Sequence, residues 1–351
     1  SEMCIRDRYN MKRKIIIISV SVLSVLILAG GLALYNMLLG KPFTVDSEKY
    51  IYIDSNDNID SVFHKVETTL KPKSMRGFRM LAKIKEYDRN IYTGAYKIGP
   101  QTTTISAFRM LQAGHQTPVR LVVPSVRTIE KLAKNVSRQI MADSASIASL
   151  LNDSCFLDSL GYSKATVPAL FIPNTYEVYW NMTAEGFVKR MSKEYKSFWN
   201  KDRTAKAQEI GFTPVEVSIL ASIVEEETAN NAEKPVIAGL YINRLKKGIP
   251  LQADPTIKFS LQDFGLKRIL FKHLEVESPY NTYKYAGLPP GPIRIPSITG
   301  LNSVLNYSKH NYIYMCAKED FSGTHNFAAT LNEHNRNAAR YQRALNQRNI
   351  K

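Results

Sequence analysis

Between Thr213 and Thr228 the chain reads Thr-Pro-Val-Glu-Val-Ser-Ile-Leu-Ala-Ser-Ile-Val-Glu-Glu-Glu-Thr, and its apolar positions recur with helical spacing. Thr213 offers a hydroxyl cap, Pro214 occupies the first helical position, and Glu216 is the acid three residues after the cap. At about 100° per residue from Val215, one apolar arc gathers Val215, Ile219, Ile223, Leu220, Val224, Val217 and Ala221. Glu227 falls at about 120°, the middle of that arc. Glu225 falls at about 280°, beside Ser218 and Ser222, and Glu226 at about 20°, on the opposite margin. A carboxyl in the middle of an oily face resists ionisation and can donate a proton at neutral pH. Glu227 is therefore the candidate acid, with Glu225 as second choice. For Glu225 and Glu226 the pattern predicts a solvated face.

The rest of the chain alternates between strand and helix periods, so the fold class is α+β. Tyr50–Asp54 alternates as a strand, helices follow over 59–70 and 75–84, Ile91–Ile98 is a second strand with a turn at Gly94, and Thr104–Leu111 is a helix. Strand, two helices, strand is the layout of a small LysM-like carbohydrate-binding module, a pattern shared by other small domains. Val119–Val123 is a further strand, and a helix-rich stretch runs from Pro124 to about Lys206. Leu170–Trp180 interrupts it as an aromatic, proline-bearing loop, which either covers a core or presents a wall for stacking on sugar rings. Pro235–Lys247 is predicted as a helix with Val236, Ile237, Leu240, Tyr241 and Leu245 inward, closed by Gly248. Asp254 is expected to cap a helix that has Pro255 at its first position. Ser278–Tyr283 and Gly287–Ile293 read as rigid loops, and a last helix runs over Leu331–Leu345.

Ile15–Leu39 carries no charged side chain over 25 residues. As a helix it is roughly 37 Å long, enough to cross a bilayer with some tilt. Lys12, Arg13 and Lys14 precede it, which places the N-terminus in the cytoplasm and everything after Gly40 outside. Gly31-Leu32-Ala33 loosely fits a signal-cleavage site, but the apolar run exceeds a usual signal core. Residues 1–10 read as an added leader ahead of a natural start at Met11. The expected organisation is a cytoplasmic N-terminus (1–14), a transmembrane helix (15–39), a spacer (40–49), the LysM-like module (50–118), a helix-rich connecting part (119–205) and a catalytic domain (206–351). The net charge of +16 favours anionic partners such as phospholipid head groups or an acidic wall polymer, and the membrane topology removes nucleic acid. Cys155 and Cys316 allow one disulfide, but two widely spaced cysteines make no scaffold and no metal signature. His310, His325 and His334 match no common ligand spacing, so no metal and no cofactor is expected.

Five segments then occur together: Ala221-Ser-Ile-Val-Glu-Glu-Glu-Thr228, Tyr241-Ile-Asn-Arg-Leu245, Leu251-Gln-Ala-Asp-Pro-Thr256, Ser278-Pro-Tyr-Asn-Thr-Tyr283 and Gly287-Leu-Pro-Pro-Gly-Pro292. In order and spacing they resemble the endolytic murein transglycosylases of the MltG or YceG-like family. Gly94-Ala-Tyr-Lys-Ile98, Phe171-Ile-Pro-Asn-Thr-Tyr176, His325-Asn-Phe327 and Glu333-His-Asn335 look familial as well. The similarity covers nearly everything after the apolar segment. It implies that Glu227 is the catalytic acid, because the last acid of the family pattern holds that role. The sequence departs at Glu226, where the family commonly has lysine. The resemblance also implies a lyase that cuts the β-1,4 bond between N-acetylmuramic acid and N-acetylglucosamine in nascent peptidoglycan strands without water. One glutamate then acts as acid and afterwards as base, leaving 1,6-anhydro ends and terminating strand elongation at the outer face of the plasma membrane, where peptidoglycan synthases are candidate partners.

Gln252, Tyr280, Asn281 and Tyr283 are candidates for holding acetamido and hydroxyl groups, with turn chemistry as the alternative. Glu233 and Asp254 are the nearest acids. Ordinary glycosidases need two carboxyls, and no clear partner for Glu227 stands out, which fits a one-carboxyl scheme. A non-catalytic peptidoglycan-binding scaffold and a hydrolytic muramidase are the competing functions.

Overall fold

The structure, a computed structural model, describes residues 2–266 and 268–348. By its internal packing the chain divides into two units. One comprises residues up to Val119 together with Val178–Asn181, and the other Arg120–Glu177 together with the chain from Met182 on.

The first unit begins with helix α1 (Glu2–Leu39), whose Asn10–Leu39 stretch is long and apolar enough to cross a membrane. Strand β1 (Lys49–Ile53) buries Ile51 and Ile53 and turns Tyr52 outward, as its alternation predicts. Helix α2 (Ile59–Leu70) starts at a capping box in which Asn58 accepts from Ser61 N–H. It buries Val62, Val66 and Leu70, one every fourth residue. Helix α3 (Arg76–Ile84) follows, then strand β2 (Gly94–Ile98), which pairs antiparallel with β1 from Lys49↔Ile98 to Ile53↔Gly94. Helix α4 (Thr104–Gln112) closes the layer over a core that includes Phe78, Tyr87, Tyr96 and Phe108.

Strand β3 (Val119–Val123) leads into the second unit and helices α5 (Ile129–Ser137), α6 (Ser144–Asn152) and α7 (Ser154–Ser159). The aromatic loop expected over Leu170–Trp180 contains strand β4 (Asn174–Val178), which pairs with β3. Phe171 is fully buried, and Tyr176 is buried with its hydroxyl donating to Ile172 O at 2.5 Å, so these two rings are core rather than a stacking wall. Pattern alone does not reveal this strand, because it follows Pro173 directly and so reads as part of a turn.

Helices α8 (Ala184–Phe198), α9 (Lys201–Ile210), α10 (Pro214–Glu227) and α11 (Lys234–Lys246) form the body of this unit, followed by α12 (Asp254–Leu261), the single-turn α13 (Phe271–Leu274) and α14 (Ile298–Leu305). A β-hairpin of β5 (Tyr314–Ala317) and β6 (His325–Ala328), with Cys316↔Asn326 in register, leads into the last helix, α15 (Leu331–Gln347). Helix α10 packs against α11, α12 and α14. It is enclosed all round: every residue from Val217 to Val224 is buried, Ser218 and Ser222 included. The single oily arc drawn from the sequence is therefore too narrow. The two serines survive inside because Ser218 donates to Pro214 O and Ser222 to Ile219 O, while Ile293 N–H donates to Ser222 Oγ at 3.0 Å.

Candidate active site

Helix α10 is fixed at its start by the expected capping box: Glu216 N–H donates to Thr213 Oγ1 at 3.2 Å, and Thr213 N–H donates to Glu216 Oε2 at 2.7 Å. Its last turn carries three consecutive glutamates, and each meets a different environment. Glu225 Oε2 accepts from Ser297 N–H at 2.7 Å, where α14 begins. A Cβ at Gly300 would stand 2.8 Å from that same oxygen, so the glycine makes room for it. Glu226 accepts two bonds from Arg127, both at 2.7 Å, and one from Arg294 at 2.9 Å. Glu225 and Glu226 thus do not form the solvated face that the pattern predicts. Their partners lie about 70 to 100 residues away in sequence, beyond the reach of any helical projection.

Glu227 opens into a cavity of about 310 Å³. Tyr241, on the buried side of α11, donates its hydroxyl to Glu227 Oε1 at 2.5 Å. Burial, above all, pushes the Glu227 carboxyl up to about 7. The Tyr241 bond acts in the opposite direction, and the neighbouring Asp254 adds to the rise. Burial, and next the charge of Glu227, hold the Tyr241 phenol well above its ordinary range, so it stays a donor.

The other walls come from α11, the loop after it and the hairpin. Arg244 is 5% exposed and has no carboxylate partner among the described residues. Its guanidinium donates to Pro250 O, to Ile313 O and to Gln252 Oε1, the last two at 2.7 Å, tying together three segments around the cavity. Gln252 lines the cavity and sits in the left-handed region, with φ of 54°. Asp254 and Tyr283 also line it, and Tyr283 donates its hydroxyl to Asp254 Oδ1 at 2.5 Å. Asp254 does not cap α12, as the sequence suggests. The cap position is Ala253, without a side-chain bond, and Asp254 is the first helical residue.

Three of the expected binding residues point elsewhere. Asn281 is fully buried and donates to Leu274 O and Val276 O, while its own oxygen accepts from Tyr283 N–H, so it holds its loop together and does not line the cavity. Tyr280 does not line the cavity. Its ring lies 4.7 Å from that of Phe259 against the core, and its hydroxyl stands close to where Gly291 passes Ala165. Glu233 also stays off the cavity and accepts from His325 N–H at 2.8 Å, which anchors the hairpin. Turn chemistry prevails at Asn281, because a rigid loop has to satisfy its own backbone first, and core packing prevails at Tyr280.

Of the hairpin wall, the sequence marks only the His325 and Glu333-His334 motifs, and nothing points to β5. Tyr314 and Cys316 line the cavity from β5, and His325 and His334 line it from β6 and α15. His334 stacks on Tyr314 with ring centroids 5.2 Å apart, and burial, followed by the nearby Arg244, lowers its affinity for a proton. Cys155 and Cys316 are both free thiols. Among the described residues no cluster of three or more His, Cys, Asp or Glu side chains is arranged to hold a metal ion. Tyr241 and Arg244 belong to the Tyr241–Leu245 motif, and the signal that could have found them is a phenol and a guanidinium on an otherwise buried helix, each needing a polar partner inside.

Residues 51–340 match the YceG-like family. An endolytic murein transglycosylase of Bacillus subtilis is 26% identical over 347 residues, covering 92% of this chain and 93% of that protein. One from Streptococcus pneumoniae is 26% identical over 370 residues and covers 93% of this chain, which spans only 65% of the pneumococcal protein's length. Among solved structures, a YceG-like protein of Listeria monocytogenes matches with a TM-score of 0.55 and 26% identity, over 83% of this chain and 99% of that one. With a family match running through both units and the cavity described above, the chain belongs to the YceG-like family.

Proposed function

We propose that this protein is an endolytic murein lytic transglycosylase, held at the membrane by α1, that cleaves glycan strands with Glu227 as its single proton-transfer group. The names of its relatives support the reaction class. The observation that carries the residue assignment is a carboxyl raised to about 7, opening into a cavity lined by both polar and aromatic side chains. Glu225, the second choice, is occupied at the start of α14 and does not line the cavity.

Cleaving a glycosidic bond requires a proton for the departing oxygen while the C1–O bond breaks. Because the Tyr241 hydroxyl occupies Oε1, the transferable proton of Glu227 resides on Oε2. Glu227 gives it to the glycosidic oxygen, and the electron pair of the breaking bond goes to that oxygen. The ring carbon becomes oxocarbenium-like, the substrate's own C6 hydroxyl attacks it, and the carboxylate takes the hydroxyl proton back. The product ends in a 1,6-anhydro sugar and no water is consumed. A group with pKa near the working pH serves both halves of this cycle, since it both releases and recovers the proton readily.

Gln252, Tyr283 and Asp254 are the cavity's polar groups for acetamido and hydroxyl recognition. In the first unit, the β1–α2–α3–β2 layout supports a LysM-like glycan-gripping role. An anchored enzyme with its catalytic unit outside the cytoplasm meets new strands as they emerge, at a raised effective concentration, which supports a role in ending strand elongation beside the synthases.

Glu227→Gln keeps the side-chain shape and loses the proton. Purified full-length Glu227→Gln incubated with glycan strands is expected to bind them and to release no anhydro-ended fragments. Release of such fragments at the parent rate refutes the assignment. Digestion in heavy-oxygen water separates lytic from hydrolytic chemistry, because only hydrolysis labels the new reducing end. A scaffold with no activity at all yields no fragments from the parent protein either.

A further inference from the structure

The one-carboxyl scheme leaves the positive charge of the breaking sugar without a stated partner, and the cavity contains a second acid. Asp254 lines the same 310 Å³ cavity as Glu227. It sits at the first position of α12, where the helix dipole favours an anion. Tyr283 donates to its Oδ1 at 2.5 Å, which fixes the rotamer and leaves Oδ2 without a side-chain donor among the described residues. Asp254 therefore lines the cavity that also holds the proton donor, with one oxygen held by Tyr283 and the other free of side-chain donors among the described residues.

We propose that Asp254, pinned by Tyr283, is the electrostatic partner of Glu227: a fixed carboxylate that stabilises the oxocarbenium charge developing at the anomeric carbon. This rests on the transglycosylase reading. Asp254 forms no covalent bond in the step. The Tyr283 hydroxyl and the helix terminus both draw on its electron density, which makes it a poor nucleophile and a stable counter-charge. An attacking oxygen is already supplied by the substrate, so the bond and proton balance of the cycle is unchanged. Charge stabilisation by a prepositioned group is the largest lever available to such a site.

The second consequence concerns Glu227 itself. The charged groups facing it are Asp254 and Lys258 from α12, Glu226 on its own helix and Arg244 from α11. The titratable ones are Tyr241, Tyr283, His325 and His334. Of these, Asp254 is the foremost anion acting to keep Glu227 protonated, ahead of Glu226. Loss of its charge lets Glu227 ionise at lower pH.

The test uses the full chain in detergent or proteoliposomes, with undecorated and peptide-bearing glycan strands, and compares kcat, KM and the pH profile. Asp254→Asn is expected to lower kcat by roughly 100-fold with KM within about threefold, and to move the alkaline limb of the profile down by roughly half a unit to one unit. Asp254→Glu recovers part of kcat and restores the limb. Tyr283→Phe, which leaves the charge and removes the pin, lowers kcat by roughly five- to tenfold with the limb nearly in place. An Asp254→Asn protein that keeps kcat within about twofold and an unmoved limb overturns the proposal. If Asp254→Asn fails to fold, by loss of its cooperative thermal transition, Asp254→Glu and Tyr283→Phe decide the matter: parent-like kcat in both overturns the proposal. Glu227→Gln assayed alongside separates the two levels. An active Glu227→Gln overturns the parent reading, whereas an inactive Glu227→Gln beside a fully active Asp254→Asn overturns only this one.

Discussion

The first unit matches its buried carboxyl, whereas the second pairs Glu226 and leaves its neighbour Glu227 unpaired. In the first, the Asp57 side chain is 5% exposed and is matched at once: it accepts from Lys65, from Ser61 Oγ and from Asp54 N–H. Although burial works against the charge, those bonds hold its carboxyl below the ordinary range. Glu48 with Lys97 and Glu67 with Arg79 are likewise paired at the surface. In the second unit, the Glu227 carboxyl has the Tyr241 phenol as its one hydrogen-bond partner among the described residues, and Arg244 is buried on carbonyl and amide oxygens without a carboxylate partner among them. Asp57 is matched because an unmatched buried charge costs several kcal/mol. A domain that has to move a proton keeps one carboxyl unmatched, and its pKa rises accordingly.

The largest expected effect that tests this contrast is on catalysis. Glu227→Gln is expected to lower the cleavage rate by about 10³-fold or more, whereas Asp57→Asn in the first unit leaves kcat unchanged; fragment release by chromatography measures both. Tyr241→Phe removes the bond that favours the Glu227 carboxylate. Its kcat is expected to fall roughly tenfold, and the alkaline limb, set by Glu227 at about 7 in the parent, to move upward. An upward shift there, opposite to that of Asp254→Asn, distinguishes a lost hydrogen bond from a lost anion.

Stability should separate the units next. Glu227 titrates near 4.5 when unfolded and at about 7 when folded. Between these values the folded state holds a proton that the unfolded state has released, so stability is highest below the lower one and falls as pH rises to the upper. Glu227→Gln has no such dependence. It is expected to be more stable than the parent by roughly 1–3 kcal/mol at about pH 8 and equal to it at about pH 4, as read from denaturant midpoints at the two pH values. Asp57 carries the reverse sign: its contribution is present at neutral pH and is lost as pH falls through its lowered folded value. Asp57→Ala should therefore cost roughly 1–2 kcal/mol at about pH 7 and little at about pH 2 to 3, the smallest of these effects.

Much of this contrast could be read before any coordinates. The capping box at Thr213 and Glu216, the Ile51 and Ile53 alternation and the Val62, Val66, Leu70 stripe are local patterns, and local patterns project directly onto one helix or one strand pair. The same projection put Glu227 inward, but for a partial reason, since α10 has no outward face along most of its length. It misassigned Glu226, whose arginine partners come from distant segments. For Asn281 and Tyr280 the sequence left ligand contact and turn chemistry both open, because a polar residue in a rigid loop looks the same whether it holds the loop or a substrate. Strand β5, with Tyr314 and Cys316, carried no signal: a four-residue strand with every residue half-buried lacks a clear period.

Sequence by itself determined the family, the apolar N-terminal helix, the α+β succession and the inward placement of one glutamate, because each depends on residue order within one element or on ordered motifs. Tertiary structure alone decided which groups surround that glutamate. Tyr241 reaches it from the next helix, Asp254 and Tyr283 meet at the start of α12, and Arg244 draws the loop and hairpin together. Acidity is a property of the space around a carboxyl, and that space is assembled from segments that sequence order does not bring together.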